Sequence, residues 1–155
     1  MIKVENNYLD NEILFNIQNI TSNDTFLWSI LNKEVTALIH YLVREQGKGL
    51  SLFTQDILNN ILQKIKAKVV LEASIKLFTQ GEKIIEYPQQ NDFLKNKNYK
   101  TFILYLGGKD SYFKTAGYNK ITTKENMAIF LDGPFKYINT NSINTKTVFL
   151  TIHYQ

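Results

Sequence analysis

Val70–Phe93 reads VLEASIKLFTQGEKIIEYPQQNDF, and the period of its side chains decides what kind of molecule this is. Leu71, Ala73, Ile75 and Leu77, continuing Val69, alternate with Val70, Glu72, Ser74 and Lys76. A period of two belongs to a strand, whose successive side chains point to opposite faces. The alternation predicts a half-buried strand, apolar on one side and polar on the other. Just upstream the period is different. From Thr54 or Gln55 through Lys66, Ile57, Leu58, Ile61, Leu62 and Ile65 recur at helical spacing, which predicts an amphipathic helix.

Outward from that junction, strands dominate the second half. Thr101–Leu106 (TFILYL) reads as a strand stopped by Gly107-Gly108. Tyr112–Thr115 and Lys120–Thr123 read as two short strands joined by a turn at Ala116–Asn119. Met127–Leu131 is a further strand, stopped by Asp132-Gly133-Pro134, and Thr147–Tyr154 (TVFLTIHY) is the last. In the first half, Leu9–Glu12 opens a short helix over Ile13, Leu14, Phe15 and Ile17, with Asp10 as its cap. Phe26-Leu27-Trp28 is expected to be buried, and Glu34–Val43 fits either helix or strand. Helices first and then many short strands predict a mainly β (α+β) architecture, a helix-flanked sandwich or distorted barrel in one domain spanning residues 1–155.

Composition excludes several classes. At 155 residues with 44% hydrophobic and 13% aromatic content, the chain can bury a core and is not of disordered type. It has no cysteine, so no disulfides, thiolate nucleophile or thiolate metal site. The opening MIKVENNYLD lacks a signal-like apolar stretch, and no run reaches membrane-spanning length. The expectation is a soluble protein in a reducing compartment, without membrane partners. Arg44 is the only arginine behind the formal charge of +4. Bidentate clamps on phosphates and base-edge readout both favour arginine, so a nucleic-acid partner is not expected. Gly107-Gly108-Lys109-Asp110 lacks the spacing of a phosphate loop. Glu86 and Asp92 could form a carboxylate pair for acid–base chemistry, although a solvated loop explains them more simply.

The segment VLEASIKLFTQGEKIIEYPQQNDF and the block NMAIFLDGPFKYINTNSINTKTVFLTIHY (126–154), with IKVENNYLDNEILFNIQNI, FLW and HYLV before them, carry a resemblance over nearly the whole chain. They resemble the small Fe(II)/2-oxoglutarate-dependent oxygenase-like proteins of prolyl-hydroxylase type, found often in marine phages and their hosts. The resemblance implies a double-stranded β-helix, the jelly-roll or cupin-like barrel. It also implies iron held by two histidines and a carboxylate, with 2-oxoglutarate as cosubstrate. Carried across, the first histidine falls on Gln90, the aspartate on Asp92 and the distal histidine on Tyr137. The basic partner of the cosubstrate falls on Val148, with Lys146 two residues earlier. Of these four positions only Asp92 keeps the family's residue.

An amide oxygen is a weak ligand for ferrous iron, and a phenol, with a reference pKa of about 10, must first lose its proton. The expectation is therefore no catalytic residues, no cofactor and no metal, with Asp92 the one residue that could still hold an ion. His40 and His153 are the only imidazoles. A rebuilt metal site would require them to converge on Asp92. What the chain does instead is expected to be protein binding or self-assembly, with Tyr118, Phe135 and Tyr137 as interface candidates. The family's habitat implies a phage structural or accessory protein, in the virion or the host cytoplasm. The alternative is an Fe(II)/2-oxoglutarate oxygenase with unusual or rebuilt ligands.

Overall fold

The computed structural model describes residues 1–32, 37–78, 83–87, 93–108, 111–133, 137–141 and 146–155. The chain begins with β1 (Ile2–Glu5), α1 (Asn11–Thr21), β2 (Ser29–Asn32) and β3 (Ala37–Arg44). A short 3₁₀ turn at Glu45–Gly47 leads to β4 (Gly49–Leu50), α2 (Thr54–Ile65), β5 (Val70–Phe78) and β6 (Lys83–Tyr87). Then follow β7 (Lys100–Gly107), β8 (Tyr112–Thr115), β9 (Ile121–Thr122), β10 (Ala128–Asp132), β11 (Tyr137–Asn141) and β12 (Thr147–Tyr154). The expected elements are all present. The ambiguous Glu34–Val43 resolves, from Ala37 on, into a strand, as its β-branched and aromatic content favours.

Among the described residues these strands make two antiparallel sheets. The larger runs β1-β10-β7-β12-β5-β3-β2 with β4 on β3, and the smaller runs β6-β11-β8-β9. The last long strand, β12, lies between β5 and β7, and β11 lies between β6 and β8. The chain thus switches sheets repeatedly and pairs strands distant in sequence, which is the double-stranded β-helix. Phe113 of the smaller sheet is packed with Phe78, Ile103, Tyr105, Ile129 and Phe149 of the larger one and with neighbouring Met127, so the sheets close on each other.

The other face of the larger sheet is covered by the helices. Leu14 and Ile17 of α1 and Ile57, Leu58 and Ile61 of α2 pack on Ala73, Ile75, Phe102, Leu104, Leu150 and Ile152. Asp10 holds the N-cap position of α1, but its side chain makes no cap bond. α2 ends on Lys66 at φ 54°, a left-handed cap that glycine usually supplies. Asn126, itself at φ 58°, ties the N-terminal segment to the start of β10. Its Oδ1 accepts from the Leu9 N–H at 2.8 Å and its Nδ2 donates to the Leu9 carbonyl at 2.7 Å. Phe26 is buried as expected, whereas Leu27 beside it is 75% exposed. No helix among the described residues is long and apolar enough to cross a membrane.

Candidate functional site

β5 departs from its expected half-burial, because both of its faces are covered. Ala73 and Ile75 face the helices, while Ser74 and Lys76 on the opposite face are 1% and 5% exposed. The polar phase of the strand faces the space between the sheets and not solvent. Register shows what accompanies it. Lys76 stands between Phe149 of β12 and Ile39 of β3; Ser74 stands between Thr151 and Tyr41; Glu72 stands opposite His153. On the far side of β12, Phe149, Thr151 and His153 pair with Tyr105, Ile103 and Thr101 of β7. The inner face therefore carries a polar stripe of Glu72, Ser74, Lys76, Thr101, Thr151 and His153.

Each member has a distinct electrostatic situation. His153 Nδ1 lies 3.0 Å from Thr101 Oγ1, and the Tyr99 ring stands edge-on at 5.0 Å. Burial, reinforced by the Lys76 charge, pushes the His153 pKa down to about 3, so its imidazole is neutral at physiological pH. Burial likewise lowers the Lys76 pKa to about 8, with Glu72 opposing the shift only in part. The Lys76 ammonium also lies 5.8 Å from the Phe149 ring centroid. Burial raises the pKa of Tyr99 and of Tyr41, and Glu72 adds to both shifts. Thr151 Oγ1 is buried and has no hydrogen-bond partner among the described residues. At the other end of β12, Thr147 Oγ1 and Thr123 Oγ1 meet at Ser111 Oγ, 3.1 and 3.0 Å away. Gly108, at φ +123°, lets the chain pass there, since a Cβ would sit 2.9 Å from Thr147 Oγ1.

The sequence-derived positions fare unevenly against this geometry. Gln90, Asp92 and Phe135 lie outside the described residues. Tyr137 opens β11 and pairs with Tyr87, the last residue of β6. Val148 does not belong to the barrel interior. It pairs with Leu77 and Gly107, and packs against the helix-side core. Strand alternation is the reason: the inward residues are Thr147 and Phe149, and Lys146 is exposed. The inner cation at this level is Lys76, across the strand from Phe149. Tyr118 is 44% exposed in the β8–β9 turn.

His40 and His153 do not converge. His40 lies on the helix side of β3, stacked on Phe26 at 4.0 Å, with Nδ1 donating to the Leu27 carbonyl at 2.6 Å and Nε2 accepting from Ser51 Oγ at 2.8 Å. It is a packed, satisfied structural histidine. The donor set the resemblance assigns to iron is thus one amide, one carboxylate and one phenol, with one neutral imidazole, His153, elsewhere on the inner face. That set does not fit a ferrous facial triad. Among the described residues no group of three metal-ligating side chains occurs. Lys76, Ser74 and Thr151 were missed from the sequence because a strand's polar phase is normally its solvent side.

No protein-family model matches the chain, and no curated protein matches it. Solved structures do. A 2OG-Fe(II) oxygenase family oxidoreductase from Burkholderia pseudomallei superposes with a TM-score of 0.70 at 12% identity, over 99% of this chain and 84% of that one. A prolyl-4-hydroxylase from Pseudomonas putida gives 0.61 at 10% identity, over 99% and 92%. A prolyl hydroxylase from Trichoplax adhaerens, in complex with a hypoxia-inducible-factor peptide, gives 0.63 at 8% identity, over 99% and 83%. At these identities the likeness establishes the fold alone, a double-stranded β-helix.

Proposed function

We propose that this chain is an oxygenase-fold protein that acts by binding and not by iron-dependent oxidation, serving protein recognition or assembly. The observation that carries this reading is the donor chemistry. On the sequence resemblance Gln90 and Tyr137 take the places of the two imidazoles, and the one imidazole of the described inner face, His153, is engaged with Thr101. Exposed apolar side chains support a partner or a second copy. Leu27 and Leu50, 75% and 66% exposed, line one surface hollow of about 300 Å³. Leu52, two residues on, is 95% exposed. The narrower expectation of a phage structural or accessory role rests on the sequence resemblance alone.

Anaerobic titration with Fe(II) and a 2-oxoglutarate turnover assay test the proposal. Absence of stoichiometric iron and of succinate is expected. Light scattering then reads self-assembly, where a mass above 18.0 kDa is expected and should fall to that of one chain in Leu52→Lys.

The second reading is an Fe(II)/2-oxoglutarate oxygenase with rebuilt ligands. Its support is the likeness to three oxygenase-fold structures across 99% of the chain, which favours catalysis more directly than it favours binding. His153 on the inner face adds one nitrogen donor. Under this reading Asp92→Ala and His153→Ala each abolish iron binding, whereas the binding reading requires neither effect.

A further inference from the structure

Exposed apolar side chains are not spread evenly over the described surface. Of the eight large ones, Leu27, Ile30, Leu50 and Leu52 belong to one edge, where β2 and β4 flank the outer side of β3. The hollow there is lined by Leu27, Ser29, Tyr41, Arg44 and Leu50, and Leu52 projects beside it. Arg44, the chain's one arginine, lies 3.9 Å from the Tyr41 ring centroid and has no carboxylate partner among the described residues. The exposed Glu45 follows it, 3.5 Å from the Lys48 ammonium. We propose that this edge is a two-fold interface with a second copy of this chain, in which Leu52 of each copy fills the hollow of the other and Arg44 meets the other copy's Glu45.

Charge and shape choose the occupant. The hollow presents a guanidinium and apolar walls and has no acidic residue in its lining, so its partner must bring a carboxylate beside an aliphatic side chain. Glu45 and Leu52 of this same chain are such a pair, set just outside the hollow they would fill. A two-fold interface joins one patch to itself, and so requires a patch that carries both knob and hole and both signs of charge. This patch carries all four. Tyr41 orients the guanidinium by stacking on it, which lowers the ordering cost of a contact, and tyrosine with arginine is the composition of interface anchors. The tip that presents Glu45 is held in an uncommon form: Glu45, Gln46 and Gly47 follow one another at φ 43°, 58° and 93°. Non-glycine residues kept in the left-handed region point to a use for that shape. The other outer strand of the same sheet, β1, is guarded against pairing by its charged Lys3 and Glu5, whereas Ser29–Asn32 of β2 carries no charge.

This inference rests on the binding reading above, and the experiment separates their failures. Sedimentation equilibrium of the full chain over a concentration series should show the mass rising from 18.0 kDa toward twice that value and no further. The patch is small, so a dissociation constant of about micromolar to tens of micromolar is expected. Arg44→Glu and Glu45→Arg should each weaken the dimer by about tenfold or more, because like charges then face each other. An equal mixture of the two variants should restore it, as should the double charge reversal in one chain, since opposite charges meet again. Leu52→Lys should abolish it. The altered side chains are all exposed, which favours retention of the fold. Should a variant misfold, slower amide exchange at residues 44–52 as wild-type concentration rises decides instead. A single-chain mass up to about 1 mM, a dimer indifferent to both charge variants, or charge variants that stay apart on mixing overturns the interface and leaves recognition of a different partner as the binding reading. Succinate production dependent on Fe(II) overturns the binding reading and does not touch the mass measurements.

Discussion

The two faces of the β5–β12–β7 sheet are made by the same strands and have opposite chemistry. Toward the helices stand Ala73, Ile75, Phe102, Leu104, Leu150 and Ile152, sealed by α1 and α2. Toward the second sheet, the alternate residues include Ser74, Lys76, Thr101, Thr151 and His153, each 5% exposed or less. Burial is equal on the two sides, so burial does not explain the difference. The helix side is what a stability core requires: apolar volume without polar obligations. The inner side carries a buried ammonium, a histidine held neutral by burial and a hydroxyl with no hydrogen-bond partner among the described residues, groups that are costly to bury.

That contrast can be broken by measurement. The largest effect is expected from acid. His153 has its folded-state pKa near 3 against an ordinary 6.5, so below pH 6.5 the unfolded chain takes up a proton that the folded one refuses. Stability then falls by about 1.4 kcal/mol per pH unit until the folded pKa is passed, about 5 kcal/mol in all. His153→Gln should flatten that part of the profile; an unchanged slope would show that the imidazole is not buried. On the helix side, Phe102→Ala should cost about 3–5 kcal/mol in urea unfolding, the ordinary penalty for a cavity in a packed core. A loss below about 1 kcal/mol would mean that this face is loosely packed.

Lys76→Met moves in the opposite direction. The native pKa of Lys76 lies near 8 against an ordinary 10.5, so its charge opposes folding below pH 8, and the penalty fades as pH rises toward 10.5. The variant should gain up to about 3 kcal/mol at pH 7, with the gain vanishing in alkali. A destabilised variant would instead show that the ammonium is fully compensated within the chain. The smallest effect is Thr151→Val, which removes an unpaired hydroxyl and should leave stability unchanged or raised by about 1 kcal/mol. Thr101→Val, which strips His153 of its partner, should cost about that much.

Much of the fold was legible because it is written in periodicity. The switch from the helical spacing of Ile57, Leu58 and Ile61 to the alternation of Leu71, Ala73 and Ile75 marks the junction of α2 and β5 correctly. The strands β1, β2, β4, β6 and β11 were not legible. Two to five residues hold few repeats of a period; β8 and β9, as short, were marked by the turn between them. The site was legible only in part. Tyr137 falls at a strand end beside Tyr87, while Gln90, Asp92 and Phe135 lie outside the described residues. Val148 fell on the wrong face because one residue of register moves a side chain across the sheet.

What the sequence determined by itself is the alternation: which residues of β5, β7 and β12 share a face, and which imidazoles, carboxylates and cations are available. What the tertiary structure decided is where each face looks. Two helices cover the apolar side and a second sheet covers the polar one, turning Glu72, Ser74 and Lys76 from a presumed solvent edge into the lining of a barrel. Alternation is local and set by backbone geometry, whereas the medium on each side depends on strands that meet only after the chain has folded across itself.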